Sequence, residues 1–428
     1  MRKRHIVLAL LVVLGIITFL DRMCIAVAGP RMQADLGIST ERWGWVLGAF
    51  ILSYGIFEIP VGAWGDRWGH RNVLSRIVLW WSVFACLTGA ASGFVSLLMI
   101  RFLFGAGEAG GYPNIAGVIS RWFPGAERAR AQGFVWGAGR FGAGITPLLV
   151  VPLMQAWGWR AAFWIAGATG FVWVAVWRLW YRNRPAEQPG ITPQELQEIQ
   201  SQPAPEIGHS IPWGLLARSR QLWLISGMYA LYVWGSWFYF SWLHTYLIKG
   251  RGFTESEMGM VGSLPYFMGA CGNLTGGFLS DYLARRHGLR NGRRWVGTAS
   301  LATTSLLFLA TALSTGKVSA IVLLAVGLFV LDFLVPTAWA VCLDVGRQHA
   351  GAVTGVMSTA GQAGGFVSTV LFGYIAERAG SYDAPLLMIS LMVMVSAILF
   401  WSIDASRPLE APVTGEKYIP AYSELIGE

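Results

Sequence analysis

The sequence predicts an all-α polytopic membrane protein of about twelve transmembrane helices in two six-helix pseudo-symmetric halves, on three observations. The first is composition. Of 428 residues, 54% are hydrophobic and 13% charged, about half the charged share of soluble domains, and mean hydropathy is +0.51. The second is length. Apolar runs of about 20 residues, enough to cross a ~30 Å hydrocarbon core, recur near 6–28, 44–63, 72–92, 97–120, 132–155, 161–181, 222–246, 259–281, 295–314, 318–341, 351–375 and 384–403. A β-barrel would show alternating segments of roughly ten residues instead.

The third observation is where the bases fall. Arg2, Lys3 and Arg4 precede the first run. Arg67, Arg71 and Arg76 follow the second, Arg121, Arg128 and Arg130 the fourth, and Arg182 and Arg184 the sixth. Arg285, Arg286, Arg290, Arg293 and Arg294 follow the eighth. With about twelve crossings all of these share one side, and the positive-inside rule puts that side and both termini in the cytoplasm. The net charge of +9 is thus a topology signal, and nucleic acid is not an expected partner. Cys24, Cys86, Cys271 and Cys342 lie far apart, without metal-ligand spacing, and read as small buried hydrophobes. The first run is too long for a signal-peptide core and meets no small-residue cleavage site, so it is expected to be retained.

Taken in order, the spans carry charges that lipid disfavours. The first holds Asp21 and Arg22, and the fourth holds Arg101 and Glu108. A charge at the centre of a membrane helix costs about 2.5–3.5 kcal/mol even on lenient scales. Arg101 and Glu108 are about two turns apart and share a helix face, whereas Asp21 and Arg22 point about 100° apart. The second span holds Tyr54, Glu58 and Pro60; the fifth holds Arg140, within Gly139-Arg140-Phe141. The seventh holds His244 near its outer end, where a satisfied interfacial histidine is expected. The tenth holds Asp332, Pro336 and Trp339, and the eleventh Ser358 and Gln362.

The domains expected are an N-terminal bundle at 1–181, a linker at 182–220, a C-terminal bundle at 221–405 and a cytoplasmic tail at 406–428. The linker is rich in Pro, Glu and Gln, and Thr192 three residues before Glu195 predicts a capped surface helix. The halves echo each other. Gly62-Ala-Trp-Gly-Asp66-Arg67 follows the second span, and Gly277-Phe-Leu-Ser-Asp281 followed by Arg285 and Arg286 follows the eighth. Such an echo is the mark of a repeated carrier with its site between the repeats.

One acid and one base in each of two spans suit a machine handling an anion and a proton. Arginine stays charged and grips a carboxylate with two hydrogen bonds. Aspartate and glutamate exchange protons under the opposed pulls of desolvation and nearby cations. Protonating Glu108 or Asp21 would free an arginine for an incoming anion. Permanent helix–helix salt bridges would be a costly way to hold apolar helices together. Arg140 implies either a second anionic group on the substrate or a protein carboxylate such as Glu108 holding it. Asp332 is open to binding a hydroxyl or a cation, pairing with a base, or a structural role.

The loop Gly62-x-x-x-Asp66-Arg67-x-Gly69-x-Arg71 resembles the signature of the major facilitator superfamily. Within it, Phe19-Leu20-Asp21-Arg22, the segment from Arg101 to Ala109, Trp122-Phe-Pro with Glu127-Arg128-Ala-Arg130, and Ser241-Trp242 with Thr245-Tyr246-Leu247 resemble the anion:cation symporter family. The likeness spans nearly the whole chain. It implies the major facilitator fold and a monomeric proton symporter in the bacterial inner membrane, surrounded by lipid, importing a small organic anion such as a hexuronate or aldonate. It also implies roles: Asp21 and Glu108 as proton sites, Arg22 and Arg101 as substrate anchors, and Tyr54 as a hydroxyl donor. Arg140, Trp339, Ser358 and Gln362 join the expected substrate site. Asp66, Arg67, Arg71, Arg128 and Arg130 are expected to latch one state at the cytoplasmic face.

Some positions depart from the family pattern. Arg140 stands where sugar-acid members carry glutamine, His244 where proline is usual, and Ser358 and Gln362 where asparagines are common. Dicarboxylates, aromatic acids and an organic-anion or organophosphate exchanger therefore stay open. The exchanger class tends to place an arginine in each half, whereas Arg22, Arg101 and Arg140 all fall in the first. No GKS/T phosphate loop, nucleophile–base constellation or metal-ligand cluster is visible, so neither an enzyme nor a cofactor is expected.

Overall fold

A computed structural model of the chain describes residues 2–200, 218–346 and 350–407, apart from scattered side chains. Much of the expected linker and all but the start of the expected tail lie outside the described residues. Every regular element among them is helical. In order these are α1 (Lys3–Leu36), α2 (Thr40–Trp68), α3 (His70–Gly89), α4 (Phe94–Glu108), α5 (Gly111–Trp122), α6 (Gly125–Trp180) and the short α7 (Pro193–Gln200). Then α8 (Arg220–Trp237) runs into π-helical turns at Phe238–Trp242 and Tyr246–Gly250. They are followed by α9 (Glu255–Val261), α10 (Leu264–Leu313), α11 (Lys317–Leu331), α12 (Leu334–Gly346), α13 (Ala350–Ala379) and α14 (Ala384–Trp401).

Seven helical stretches among the described residues are long and apolar enough to cross a bilayer. Hydrocarbon offers no partner for backbone N–H and C=O groups, so a spanning segment satisfies them internally as helix. Leu179 and Phe278, each 78% exposed, project outward. In water such side chains would be aggregation liabilities, whereas lipid is their matching solvent.

The runs 132–155 and 161–181 are the two arms of α6, which breaks at Gly158 with φ 80°, a conformation that strains any residue with a Cβ. On the first arm, Met154 O accepts from Arg31 (2.7 Å). On the second, Arg160 bonds Asp35 (2.7 Å) and Trp173 donates to Leu10 O (2.8 Å). The arms therefore run in opposite directions along α1. Gly288 (φ 82°) breaks α10 in the same way, and Arg293 reaches back to Asp281 at 2.6 Å.

Two other runs differ from expectation. The run 97–120 is broken at Ala109–Gly110, directly after Glu108, and the run 318–341 is broken at Asp332–Phe333. Broken helices at membrane depth persist only where protein or a cavity covers the freed backbone groups. Both breaks fall beside a buried acid.

The helices before residue 181 meet those after 218 chiefly where α2 packs on α13, α6 on α10, and α1 on the turn Leu243–Thr245. Several of the polar bonds joining them gather at the face opposite the basic loops. Arg31 pairs with Glu255 (2.5 Å), Lys249 with Gln33 (3.0 Å), Gln155 with Ser256 (3.0 Å) and Thr40 with Tyr382 (3.1 Å).

The surface helix α7 forms as expected, with the Thr192 hydroxyl accepting from Glu195 N–H (3.2 Å). The Glu195 carboxylate, however, accepts from the N–H groups of Lys3 (3.1 Å) and Arg4 (2.9 Å). It satisfies orphan donors at the start of α1, as an acid at a helix N-terminus does.

Candidate functional site

The site begins with a close approach of two helices. A Cβ at Gly105 would sit 2.5 Å from Phe50 O, so only glycine lets α4 press against α2 there. The approach brings Arg101 and Glu108, one turn to either side, against Phe50 and Tyr54. Arg101 is buried, with its guanidinium over the rings of Phe50 (4.9 Å) and Phe104 (4.7 Å), contacts that favour a desolvated cation.

Arg22 of α1 meets Glu108 in an ion pair, its Nε donating to Oε1, and lies over the Tyr54 ring at 4.7 Å. Arg22 Nη2 and Glu108 Oε2 are buried with no hydrogen-bond partner among the described residues. Asp21 points away from Arg22. Its carboxylate is buried beside the Trp81 indole, Glu108 and Arg101, and neither oxygen makes a hydrogen bond of full geometry among the described residues.

A second pair lies across the bundle. Arg140 Nη2 donates to Asp332 Oδ1 at 3.0 Å, with Asp332 wholly buried. The carboxylate holding Arg140 is therefore Asp332, not Glu108, which Arg22 occupies. Asp332 stands at the break between α11 and α12, as Glu108 stands at the end of α4. Arg140 Nη1 and Asp332 Oδ2 are again buried without a partner among the described residues.

Aromatic rings connect the two pairs. Arg22 lies 5.4 Å from the Phe19 centroid, Phe19 packs on Phe240 (5.9 Å), and Arg140 lies over Phe240 at 5.1 Å. Trp339 approaches through Trp136, which stacks on Tyr112 at 4.3 Å. Gln362 packs against Gly55, next to Tyr54, with Oε1 buried and unpartnered among the described residues. Ser358 is half-buried on α13, one turn before Gln362.

The expected latch residues lie elsewhere. Arg71 bonds the carbonyl of Arg178, and its amide donates to Asn183 (2.9 Å). Arg128 donates to Phe123 O (3.0 Å), Arg130 lies 3.9 Å from Glu127, and Arg67 rests over Trp68. None of these contacts joins the Arg67–Arg71 loop to the Arg128–Arg130 loop. The side chain of Asp66 is outside the described ones. His244 also departs from expectation. It is fully buried, stacked on Tyr266 at 6.1 Å, and neither nitrogen has a hydrogen-bond partner among the described residues.

Sequence reasoning missed one neighbour of the site. Tyr112 is buried with an unpartnered hydroxyl, and its charged neighbours are Arg22, Glu108 and Arg140. No spacing or hydropathy signal in the sequence marked it. Glu58, named in the sequence for packing or the gate, stands one turn beyond Tyr54 with Arg22 as its charged neighbour.

A helical membrane bundle with charges buried between its two sets of helices is the architecture of a solute carrier. The chain belongs to the Major Facilitator Superfamily, whose model matches residues 11–369, and is a membrane transport protein rather than an enzyme. It is 34% identical to a probable sulfoacetate transporter of Cupriavidus necator, over 96% of each chain. It is 28% identical to a hexuronate transporter of Bacillus subtilis over 89% of this chain and 90% of that one. It is also 26% identical to a probable galactarate/D-glucarate transporter of Escherichia coli, over 93% and 94%. Its fold is similar to a crystal structure of a bacterial homologue of the human lysosomal transporter Spinster. That likeness has a TM-score of 0.79 at 19% identity, covering 94% of this chain and 97% of that one.

Proposed function

We propose that the protein is a proton-coupled symporter that imports a small organic anion, such as a sugar acid, by alternating access. The observation that carries this reading is the buried Arg22–Glu108 pair with Arg101 and Asp21 beside it. Arg22 and Arg101 are fixed cations able to hold a carboxylate. Glu108 competes with the substrate for Arg22, so protonating Glu108 releases the anchor. Asp21, buried beside Glu108 with no arginine paired to it, is the group most readily paired with a proton. The relatives' names, all of organic-anion carriers, favour the same cargo.

On this reading the protein is a monomer in the bacterial inner membrane, with both termini in the cytoplasm and lipid around two six-helix halves. The bonded face around Arg31 and Glu255 is then the outer one, and the conformation is closed outside. The loops of Asp66, Arg67, Arg71, Arg128 and Arg130 would latch the opposite state.

The test is uptake and counterflow of organic acids in proteoliposomes with and without a pH gradient. Wild type should accumulate substrate only with the gradient. Glu108→Gln should lose accumulation and keep some exchange. Normal accumulation by Glu108→Gln would remove Glu108 as the coupling site.

A further inference from the structure

Resting on the reading of this chain as an organic-anion carrier, we infer that its site takes a small dianion. One acidic group binds at Arg22 and Arg101, and the second binds at Arg140 with the Tyr112 hydroxyl, displacing Asp332. Two equivalent half-made ion pairs point to this. Glu108 and Asp332 each stand beside a helix break and each hold one arginine from another helix.

Each pair leaves one carboxylate oxygen and one guanidinium nitrogen buried without a partner among the described residues: Glu108 Oε2 with Arg22 Nη2, and Asp332 Oδ2 with Arg140 Nη1. A salt bridge built only to join helices would use both edges of its fork, because each unmet buried polar group is costly. Here each arginine keeps a donor for another acceptor.

Tyr112 supplies the independent observation. Its hydroxyl is buried without a partner among the described residues, has both Arg22 and Arg140 as charged neighbours, and lies 3.2 Å from where a Cβ on Gly139 would stand. It is a donor placed between the two cationic centres. A substrate with one acidic group would fill the first centre and leave Arg140 to Asp332. A sulfonate–carboxylate or a dicarboxylate fills both. Asp332 is thereby a specificity-determining counter-ion, which a second anionic group must outcompete.

The test measures affinity of purified full-length protein, by isothermal calorimetry, for two matched pairs. Sulfoacetate is compared with methylsulfonylacetate, which replaces the sulfonate by a neutral sulfone of the same shape, and glucarate with gluconate. In wild type the dianion should bind about ten- to hundredfold more tightly than its monoanionic match in at least one pair, the worth of one charge-assisted hydrogen-bonded contact. Arg140→Gln should collapse that ratio towards one, and Asp332→Asn should raise it.

Arg140→Gln strands a buried Asp332 and is liable to misfold, so the double variant Arg140→Gln with Asp332→Asn, which removes both charges, gives the same readout. Equal affinities within both pairs in wild type would overturn the dianion inference and leave anion transport standing. So would a ratio that survives in the double variant. Failure of wild type to bind any of the four acids would overturn both readings.

Discussion

Removing Arg31 should loosen the face that joins the two sets of helices. Arg31 makes a two-pronged pair with Glu255, both contacts at 2.5 Å, and its Nη1 donates to Met154 O at 2.7 Å. The two side chains are 34% and 25% exposed, so solvent screening brings the pair towards the surface value of about 0.2–1 kcal/mol. The hydrogen bond to Met154 lies within α1 and α6 and adds nothing across the interface. The gain from the fork geometry puts the cross-interface contribution near 1 kcal/mol. Arg31→Ala should then shift the balance between conformations by about fivefold towards opening at this face. Spin labels at exposed Trp157 and Val318, with the native cysteines replaced, would report the change as a growing long-distance population in pulsed EPR. Glu255→Gln should give a smaller shift in the same direction. An unchanged distance distribution in Arg31→Ala would show that apolar packing, not this pair, holds the face closed.

Other outcomes are specific. Arg101→Ala should weaken substrate binding by about ten- to hundredfold in calorimetry, since a charge-assisted contact is lost; wild-type affinity would refute its role as an anchor. Gly105→Ala should lower thermal stability by about 1–3 kcal/mol through overpacking against Phe50 and Ser53 and weaken binding with it. Wild-type affinity in that variant would mean that the close approach does not position Arg101 and Glu108. At the end of the described chain, burial works against the Asp404 charge. Hydrogen bonds from the Ser406 hydroxyl (2.6 Å) and amide (3.1 Å), with Arg290 and Arg407, outweigh it and hold the carboxyl below its ordinary value. A depressed folded-state pKa gives stability that is present above the unfolded value and lost as pH falls through the folded one. Hydrogen-exchange protection at Ser406 should therefore decline on acidification below about pH 4, and Asp404→Asn should remove that dependence.

What was legible in the sequence follows from what lipid penalises. Asp21, Arg22, Arg101 and Glu108 stand out because charges in apolar runs are rare and costly, and two of them do meet as a pair. The surface helix was readable from Thr192 and Glu195 because capping is local chemistry. The partner of Glu195 was not, since it lies in α1. The breaks after Glu108 and at Asp332 were hidden for another reason. Hydropathy windows register the apolarity of a stretch and are blind to one residue leaving the helix within it. The partner of Arg140 sits 192 residues away, and no spacing rule reaches that far. Tyr112 was passed over because an isolated tyrosine in an apolar run is ordinarily a packing residue.

The two ion pairs differ in what they connect, and that difference bears on coupling. Arg22 and Glu108 both belong to helices before residue 181, so a proton or an anion can exchange there while the two sets of helices stay still. Arg140 and Asp332 belong to opposite sets, so their contact bridges the interface between them. A ligand reaching both competes with a bond that bridges the moving parts. On the dianion inference, occupancy of the Arg140 subsite is then a step that links binding to rocking.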